Sequence, residues 1–422
     1  MSISTIDSNK VILVIEPIGM GGELLLKATR SLGFHTVIAT TEDVYHSMLQ
    51  GFNDMIDDLI FVDFSAREAA IETLIEESKN KGVSGVVVAW EFLTDIAAEV
   101  AHGLNFCGPD ATLSRARRNK YFMYRTLAEA KCPLPSLQAV ITNKDDINQL
   151  PLEELAFPLV VKPAENAASF GVSVINEIKD LPQAFIDASQ WTHEYPHGIP
   201  FSNEILIQEY IPGQEFSVEG ISLSGKYMPW GVTMKFTTPG KARAETGHIF
   251  PAPIPDFLRD DVLDVAAKAV IALGITNGIS HTEIKLDYEG KPRVIESCSR
   301  PAGDYIPRLV ELSTDENPLA IYAKQAVGIL PANFTPAHPK RYSAIQFIRP
   351  ESEGTFNSIE MPSSLAHAEI IESRVTAPFG SNVKPGSTNI ERLGWAIFIS
   401  NSKDYVLQAM DELSQRVKVD IL

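Results

Sequence analysis

The chain has 422 residues, too many for one ordinary hydrophobic core, so two to four packed units are expected. Its 45% hydrophobic and 21% charged residues are those of a soluble globular protein. The formal net charge of −18 disfavours non-specific binding to nucleic acid or to anionic membrane, but not a phosphate held by a local cluster of cations and backbone N–H groups.

The first residues, Met1–Lys10, lack the basic-then-apolar pattern of a secretion signal. Val11–Glu16 is a short apolar run, followed by the glycine-rich turn Pro17–Gly22, a helical pattern over Glu23–Leu32 and a second strand over Thr36–Ala39. That order is the βαβ signature of a parallel sheet. It repeats through a strand at Leu59–Phe64, a helix at Glu68–Lys79, a strand at Gly85–Trp90 and a helix at Leu93–His102. Residues 1–113 therefore read as an open α/β domain. Gly19, Gly21 and Gly22 suggest a dinucleotide loop only weakly, because the full pattern needs glycine at position 24 and Leu24 stands there. Glu91 follows the fourth strand, where such a domain faces a cleft. Substrate contact and a helix cap are both open to it.

A basic helix follows over Ser114–Ala130, carrying Arg115, Arg117, Arg118, Lys120 and Arg125; a solvated helix face is the usual fate of such a run. Phe157–Lys162 is a buried strand, then come the small-residue stretch Ala164–Gly171 and a strand over Val172–Asn176. Further strands are expected at Glu204–Tyr210 and Phe216–Ser222, broken by Pro212-Gly213, and a helix at Asp261–Leu273. The last 80 or so residues hold short strands, turns and a final strand–helix unit (Trp395–Ser400, Asp404–Arg416). No apolar run reaches membrane-spanning length. Cys107, Cys132 and Cys298 are too few and scattered for a disulfide framework or zinc cluster, which makes a reducing cytoplasm the simpler expectation.

The most informative segment is Gly278–Asp304. Gly278–Asp287 and Pro292–Cys298 are strand-like, and a two-residue turn at Glu289-Gly290 sets Glu283 directly opposite Glu296. His281, Glu283 and Lys285 then share a face with Glu296, Cys298 and Arg300. Facing carboxylates repel, so one must be held protonated or positive charge must be supplied. Mg²⁺, with Mn²⁺ as an alternative, suits two such carboxylates together with nucleotide phosphates. Arg300 is then available to stabilise a tetrahedral oxyanion or a transferring phosphoryl group. A surface salt-bridge cluster of Glu283, Lys285, Glu296 and Arg300 is the plainer alternative.

In this order and spacing the chain resembles the ATP-grasp superfamily over most of residues 115–330. Members such as biotin carboxylase and D-alanine–D-alanine ligase clamp ATP between two α+β subdomains. The resemblance implies that Lys120 and Lys162 neutralise phosphates, that Glu209, Tyr210 and Ile211 form the adenine-reading hinge, and that Glu215 takes the ribose hydroxyls. Ser169 is expected to add a hydroxyl to the phosphate-wrapping lid loop. Glu283 and Glu296 match the metal acids and Arg300 the anion-stabilising arginine. Cys298 stands where a metal-site asparagine often lies.

Within the superfamily, Glu245-Thr246-Gly247-His248 is similar to the L-amino-acid ligases that make dipeptides, including bacilysin- and dapdiamide-type antibiotic enzymes. There the glutamate and histidine line the amino-acid pocket, so Glu245, His248, Glu91 and Arg300 are the implied substrate residues. The plainer alternative is that His248 caps a loop before Pro251. The implied architecture is a Rossmann-like domain (1–113), a lid-containing subdomain (114–212) and a catalytic body (213–422), with a homodimer as one option. The implied reaction activates a small acid as an acyl phosphate and couples it to an amine, releasing ADP and phosphate. A nicotinamide-dependent oxidoreductase, an ATP-grasp carboxylase and a non-catalytic nucleotide-binding module are the rival readings.

Overall fold

A computed structural model describes residues 10–238, 244–386 and 388–422. The stretch read for a secretion signal lies, but for Lys10, outside the described residues.

The N-terminal unit is the expected α/β layer. Strands β1 (Val11–Ile15), β2 (His35–Thr40), β3 (Asp58–Phe61) and β4 (Gly85–Val88) form a parallel sheet in the order β3-β2-β1-β4. Helix α1 (Gly19–Ser31), the short α2 (Glu42–Val44) and α3 (Arg67–Asn80) connect them, and α4 (Thr94–Gly103) follows β4. The strands are continuous Val/Ile runs because both faces are covered: Ile12, Val14 and Val87 pack on one side, Leu13, Ile15 and Val86 on the other. Helix α1 begins at Gly19, four residues earlier than expected, and a Cβ on Gly22 would lie 2.1 Å from the Pro17 carbonyl oxygen. The glycine-rich turn thus serves a close backbone approach within the chain.

The basic run does not form one helix. Asn119 breaks it, its side chain accepting from the N–H groups of Tyr121 and Phe122 to cap α5 (Lys120–Glu129). Its cations disperse: Arg117 is buried on the carbonyls of Leu273 and Asp110, Arg118 pairs with Glu165, and Arg115 stacks over Phe122. Next comes a four-stranded sheet of β5 (Leu137–Ile141), β6 (Leu159–Pro163), β7 (Ser173–Ile175) and β8 (Ile205–Glu209), ordered β5-β8-β6-β7 with α6 (Leu181–Ser189) against it.

The rest is built on one eight-stranded antiparallel sheet, ordered β13-β12-β9-β10-β11-β14-β18-β16. Its strands are β9 (Glu215–Leu223), β10 (Lys226–Thr237), β11 (Glu245–Phe250), β12 (Gly278–Leu286), β13 (Pro292–Cys298), β14 (Tyr342–Ile348), β16 (Glu369–Val375) and β18 (Gly394–Ser400). Helix α7 (Asp256–Ala272) packs Val262, Ala266 and Val270 beneath it, together with Met123 and Leu127 of α5. Helices α8 (Ile306–Thr314) and α9 (Pro318–Ala326) join this body to the N-terminal unit through a shared core that includes Leu309, Ala323, Leu25 and Ile12. A small sheet of β15 (Gly354–Glu360), β17 (Asn382–Val383) and β19 (Lys418–Ile421) and the helix α10 (Lys403–Arg416) complete the chain. No helix among the described residues is long and apolar enough to cross a membrane.

The β12–β13 hairpin does set Glu283 opposite Glu296, by a different route from the one expected. The turn has three residues, Tyr288–Glu289–Gly290, closed by Asp287 N–H on the Lys291 carbonyl at 2.9 Å, with Gly290 at φ +76°. Ile284 pairs with Val294 whereas Glu283 pairs with Glu296, so Ile295 is an extra residue. This bulge restores the register that the longer turn displaces.

Candidate active site

The N-terminal unit, the β5–β8 layer and the large sheet enclose a cavity of about 480 Å³. Lys120, Lys162, Ser169, Glu209, Tyr210, Ile211, Glu215, Glu245, Glu283, Glu296, Arg300 and Glu91 all line it, although they span more than 200 residues of sequence. His248 is the one expected site residue not on its wall.

Three lysines enter the middle of the cavity. Lys120, at the start of α5, donates from Nζ to the Asn166 carbonyl at 2.6 Å and lies 3.0 Å from Glu296 Oε1. Burial opposes its charge, but Glu296 and Glu91 outweigh burial and hold its pKa above the usual value. Lys162, near the end of β6, is buried, and burial together with the neighbouring Lys120 pushes it down to about 8. The third, Lys235 on β10, was not anticipated. Its Nζ lies 2.6 Å from Glu283, 2.7 Å from Glu245 and 3.1 Å from Glu215. The signal for it was present: Ser224-Gly225 makes a two-residue hairpin turn, after which Met228, Trp230 and Val232 are buried at alternate positions.

The facing carboxylates are shifted in opposite directions. Burial pushes Glu283 up, but Lys235 and His281 outweigh it and hold the carboxyl well below the usual range. For Glu296 burial wins over Lys120, and the pKa rises. Among the described residues Glu283 pairs with Lys235 and His281, and Glu296 with Lys120, on the wall of a cavity, so the expected alternative of a surface cluster is not what forms. Lys285 lies over the Tyr210 ring, with Nζ 5.4 Å from its centroid. Glu296 Oε1 is buried and has Lys120 Nζ beside it at 3.0 Å. The oxygen atoms of Glu215, Glu245 and Glu283 lie within 4.8 Å of one another around the Lys235 ammonium, a set of hard donors of the type that Mg²⁺ takes.

Arg300 is committed to Glu91. Its Nη2 and Nε donate to Glu91 Oε2 at 2.5 and 3.1 Å, and Nη1 to the Pro301 carbonyl at 2.8 Å. Glu91 is therefore held by an arginine rather than by helix N–H groups. Burial raises its pKa, and Arg300 and Lys120 reverse that. Cys298 Sγ lies 3.7 Å from Glu91 Oε1.

Glu245 and His248 lie on a strand, not a loop. Glu245 accepts from Asn389 Nδ2 at 2.8 Å on one oxygen and meets Lys235 on the other. His248 is fully buried and reaches the cavity through Asp304, whose Oδ2 is 3.3 Å from Nε2. Asp304 lines the cavity at φ +53°, and both its oxygens accept from Arg392 at 2.7 Å. Arg392 in turn lies over Phe347, 3.4 Å from the ring centroid. Asp304 and Arg392 are additions that their sequence separation concealed.

At the opposite end, Tyr210 and Ile211 connect β8 to β9. Gly213 packs so tightly that a Cβ there would lie 2.4 Å from the Leu286 carbonyl oxygen. Glu209 accepts from Ser136 N–H at 3.0 Å. In the turn above Lys162, Ala168 and Ser169 have φ of +51° and +61°, next to Gly171 at +74°.

Comparison with known proteins agrees with this geometry. Residues 155–308 match the model of an ATP-grasp domain. The chain is 28% identical over 327 residues to dapdiamide A synthase of Enterobacter agglomerans, covering 72% of this chain and 70% of that one. It is 26% identical over 257 residues to alanine–anticapsin ligase of Bacillus subtilis, covering 57% of this chain and 54%, about half, of that protein. The fold superposes on an L-amino acid ligase from Bacillus licheniformis with a TM-score of 0.81 at 22% identity, covering 98% and 99% of the two chains. Residues 155–308 of the protein thus form an ATP-grasp domain, and the chain is similar to dapdiamide A synthase and to an alanine–anticapsin ligase.

Proposed function

We propose that the protein is an ATP-dependent carboxylate–amine ligase that activates a small carboxylate as an acyl phosphate and couples it to the amine of an amino acid.

 The observation that carries this is the convergence of Lys120, Lys162 and Lys235 with Glu283 and Glu296 in one cavity, drawn from both layers of the fold. Three buried cations beside paired acids suit a polyphosphate chain, and the Tyr210–Ile211 end suits a nucleobase.

ATP is the substrate that this middle would take. Glu283 and Glu296 are the residues to hold Mg²⁺, which would neutralise charge on the phosphates when bound. An oxygen of the acid attacks the γ-phosphorus, an O–P bond forms, and the bond to the bridging oxygen breaks to release ADP. The neutral amine then attacks the acyl carbon; a C–N bond forms, the C–O bond breaks and phosphate leaves, with one proton lost from nitrogen. Lys120, Lys162 and Lys235 neutralise the transferring group, and Arg300, steadied by Glu91, is assigned to the developing oxyanion. Glu245 and Asp304 border the cavity together with the cations Lys235 and Arg392 that pair with them, and this set of both charges favours an amino-acid substrate, with its ammonium and carboxylate, over bicarbonate.

We further propose division at 113/114 and 212/213, supported by the separate sheets of the three parts. A reducing cytoplasm is the proposed compartment, supported by Cys107, Cys132 and Cys298 all being free. The test is turnover of ATP with Mg²⁺ against a panel of amino-acid pairs, following nucleotide and coupled product together. The proposal expects ADP, phosphate and an amide, all lost in Glu296→Ala. Turnover that yields no coupled product with any pair overturns it.

A further inference from the structure

The cavity has two apolar ends on either side of its charged middle. One is the hinge end, with Val160, Val174 and Ile211. The other is built by the N-terminal unit, where Ile18, Met20 and Trp90 face Ala302 and Ile306 of the body. A nucleotide uses one apolar end only. On the ligase reading given above, the second end has to serve an amino-acid side chain, with the carboxylates of Glu245 and Asp304 bordering it.

The indole of Trp90 is held in an unusual way. Its Nε1 donates to Glu194 Oε1 at 2.7 Å. Glu194 also accepts from the backbone N–H of His197 at 2.9 Å and meets His197 Nδ1 at 3.0 Å. His197 Nε2 in turn lies 2.7 Å from Glu16 Oε2, at the end of β1, and Thr40 Oγ1 donates to the same carboxylate at 3.0 Å. The side chains of Glu16, Glu194 and His197 are all buried. Burial lowers the pKa of His197, but the two carboxylates outweigh it and raise the pKa to about 9, and the imidazole is bonded at both nitrogens. Such a buried ionic chain is costly to desolvate, and apolar packing would serve stability alone equally well. What it adds is a fixed ring plane at the cavity wall.

We propose that Trp90 is the specificity-determining wall of an apolar side-chain subsite for one amino-acid substrate, and that Glu16, His197 and Glu194 are positioning residues for its indole. The subsite accepts an aliphatic or aromatic side chain, and the Trp90 ring limits its size.

The experiment measures kcat and KM for glycine, alanine, leucine and phenylalanine as the varied substrate, in the full chain and in Trp90→Ala, Trp90→Phe and Glu194→Leu. Trp90→Ala is expected to change the phenylalanine-to-alanine ratio of kcat/KM by tenfold or more in favour of the larger side chain, a size of effect typical of apolar pockets. Glu194→Leu and Trp90→Phe, which both remove the indole hydrogen bond, are expected to raise KM for leucine several-fold with a smaller change in kcat. If Glu194→Leu does not fold, Trp90→Phe carries that arm alone. An unchanged ranking in Trp90→Ala, with turnover retained, overturns the subsite and leaves the ligase reading standing. Thermal protection by free leucine over glycine needs no turnover. Its loss in Trp90→Ala, in a protein that couples no pair, keeps the subsite and removes the ligase reading.

Discussion

Lys235 touches three carboxylates with one ammonium group. The group is almost wholly buried, and those carboxylates hold its pKa well above the usual lysine value against the opposing effect of burial. Removing one partner from a buried ionic cluster costs about 3–5 kcal/mol, because the charges left behind are uncompensated. Lys235→Met is therefore expected to lose about that much stability in urea unfolding, and Mg²⁺ is expected to restore part of it. An unchanged midpoint would mean that the three acids share protons and need no cation. Lys162 gives the opposite sign of dependence. Its pKa is pushed down to about 8, so the free enzyme loses this positive charge as pH rises through 8. The kcat/KM for ATP is expected to fall across that pH, because kcat/KM reports the free enzyme. Lys162→Arg, which stays charged, is expected to remove that fall, and a profile identical in the two proteins would rule Lys162 out as its source.

Among the elements, the hairpin shows how far pattern reading reaches. The opposition of Glu283 and Glu296 follows from counting along two strands, yet the turn is one residue longer and the bulge at Ile295 compensates. Period-two alternation survives such paired shifts, so the face was legible and the local geometry was not. The parallel βαβ layer was legible because its strands are buried on both faces and read as unbroken apolar runs. Strands β10 and β11 were missed because polar Thr233, Lys235 and His248 are buried within them, and burial of polar groups is decided by the partners they find. Asp304 with Arg392, and Glu16 with His197, are separated by 88 and 181 residues, and neither pair leaves a local trace. The second of these pairs ties the end of β1 to the segment between α6 and β8, and it makes a pH prediction. The pKa of His197 is raised from 6.5 to about 9 in the fold, so its contribution is complete below pH 6.5 and is lost as pH rises through 9. That shift corresponds to about 3 kcal/mol. The melting temperature is expected to fall between pH 7 and 9.5, and His197→Gln to flatten the fall. The same slope in both proteins would mean that the imidazole is neutral between its two carboxylates.

At the scale of the whole molecule, three separate layers each contribute what the others lack. The N-terminal unit supplies Glu91 and the Trp90 wall, the β5–β8 layer supplies Lys162 and the turn at Ser169, and the large sheet supplies the acids and Lys235. No one of them encloses a site, and the cavity exists only where they meet. Such an arrangement suits a reaction whose intermediate must be kept from water, because closing the layers on one another excludes solvent. The order of the motifs along the chain was enough to identify this assembly. What the order does not contain is which side chains pair across the layers, since that depends on packing between segments hundreds of residues apart.

The central claim is that the acid is activated on its own oxygen by the γ-phosphate. It is tested most directly by supplying the acid with ¹⁸O in its carboxylate and finding where the label goes. Attack on the γ-phosphorus followed by amine displacement carries one labelled oxygen into inorganic phosphate, with ADP as the other product. Label recovered in AMP, with pyrophosphate released, would contradict the account, because it would mean attack on the α-phosphorus and an acyl adenylate.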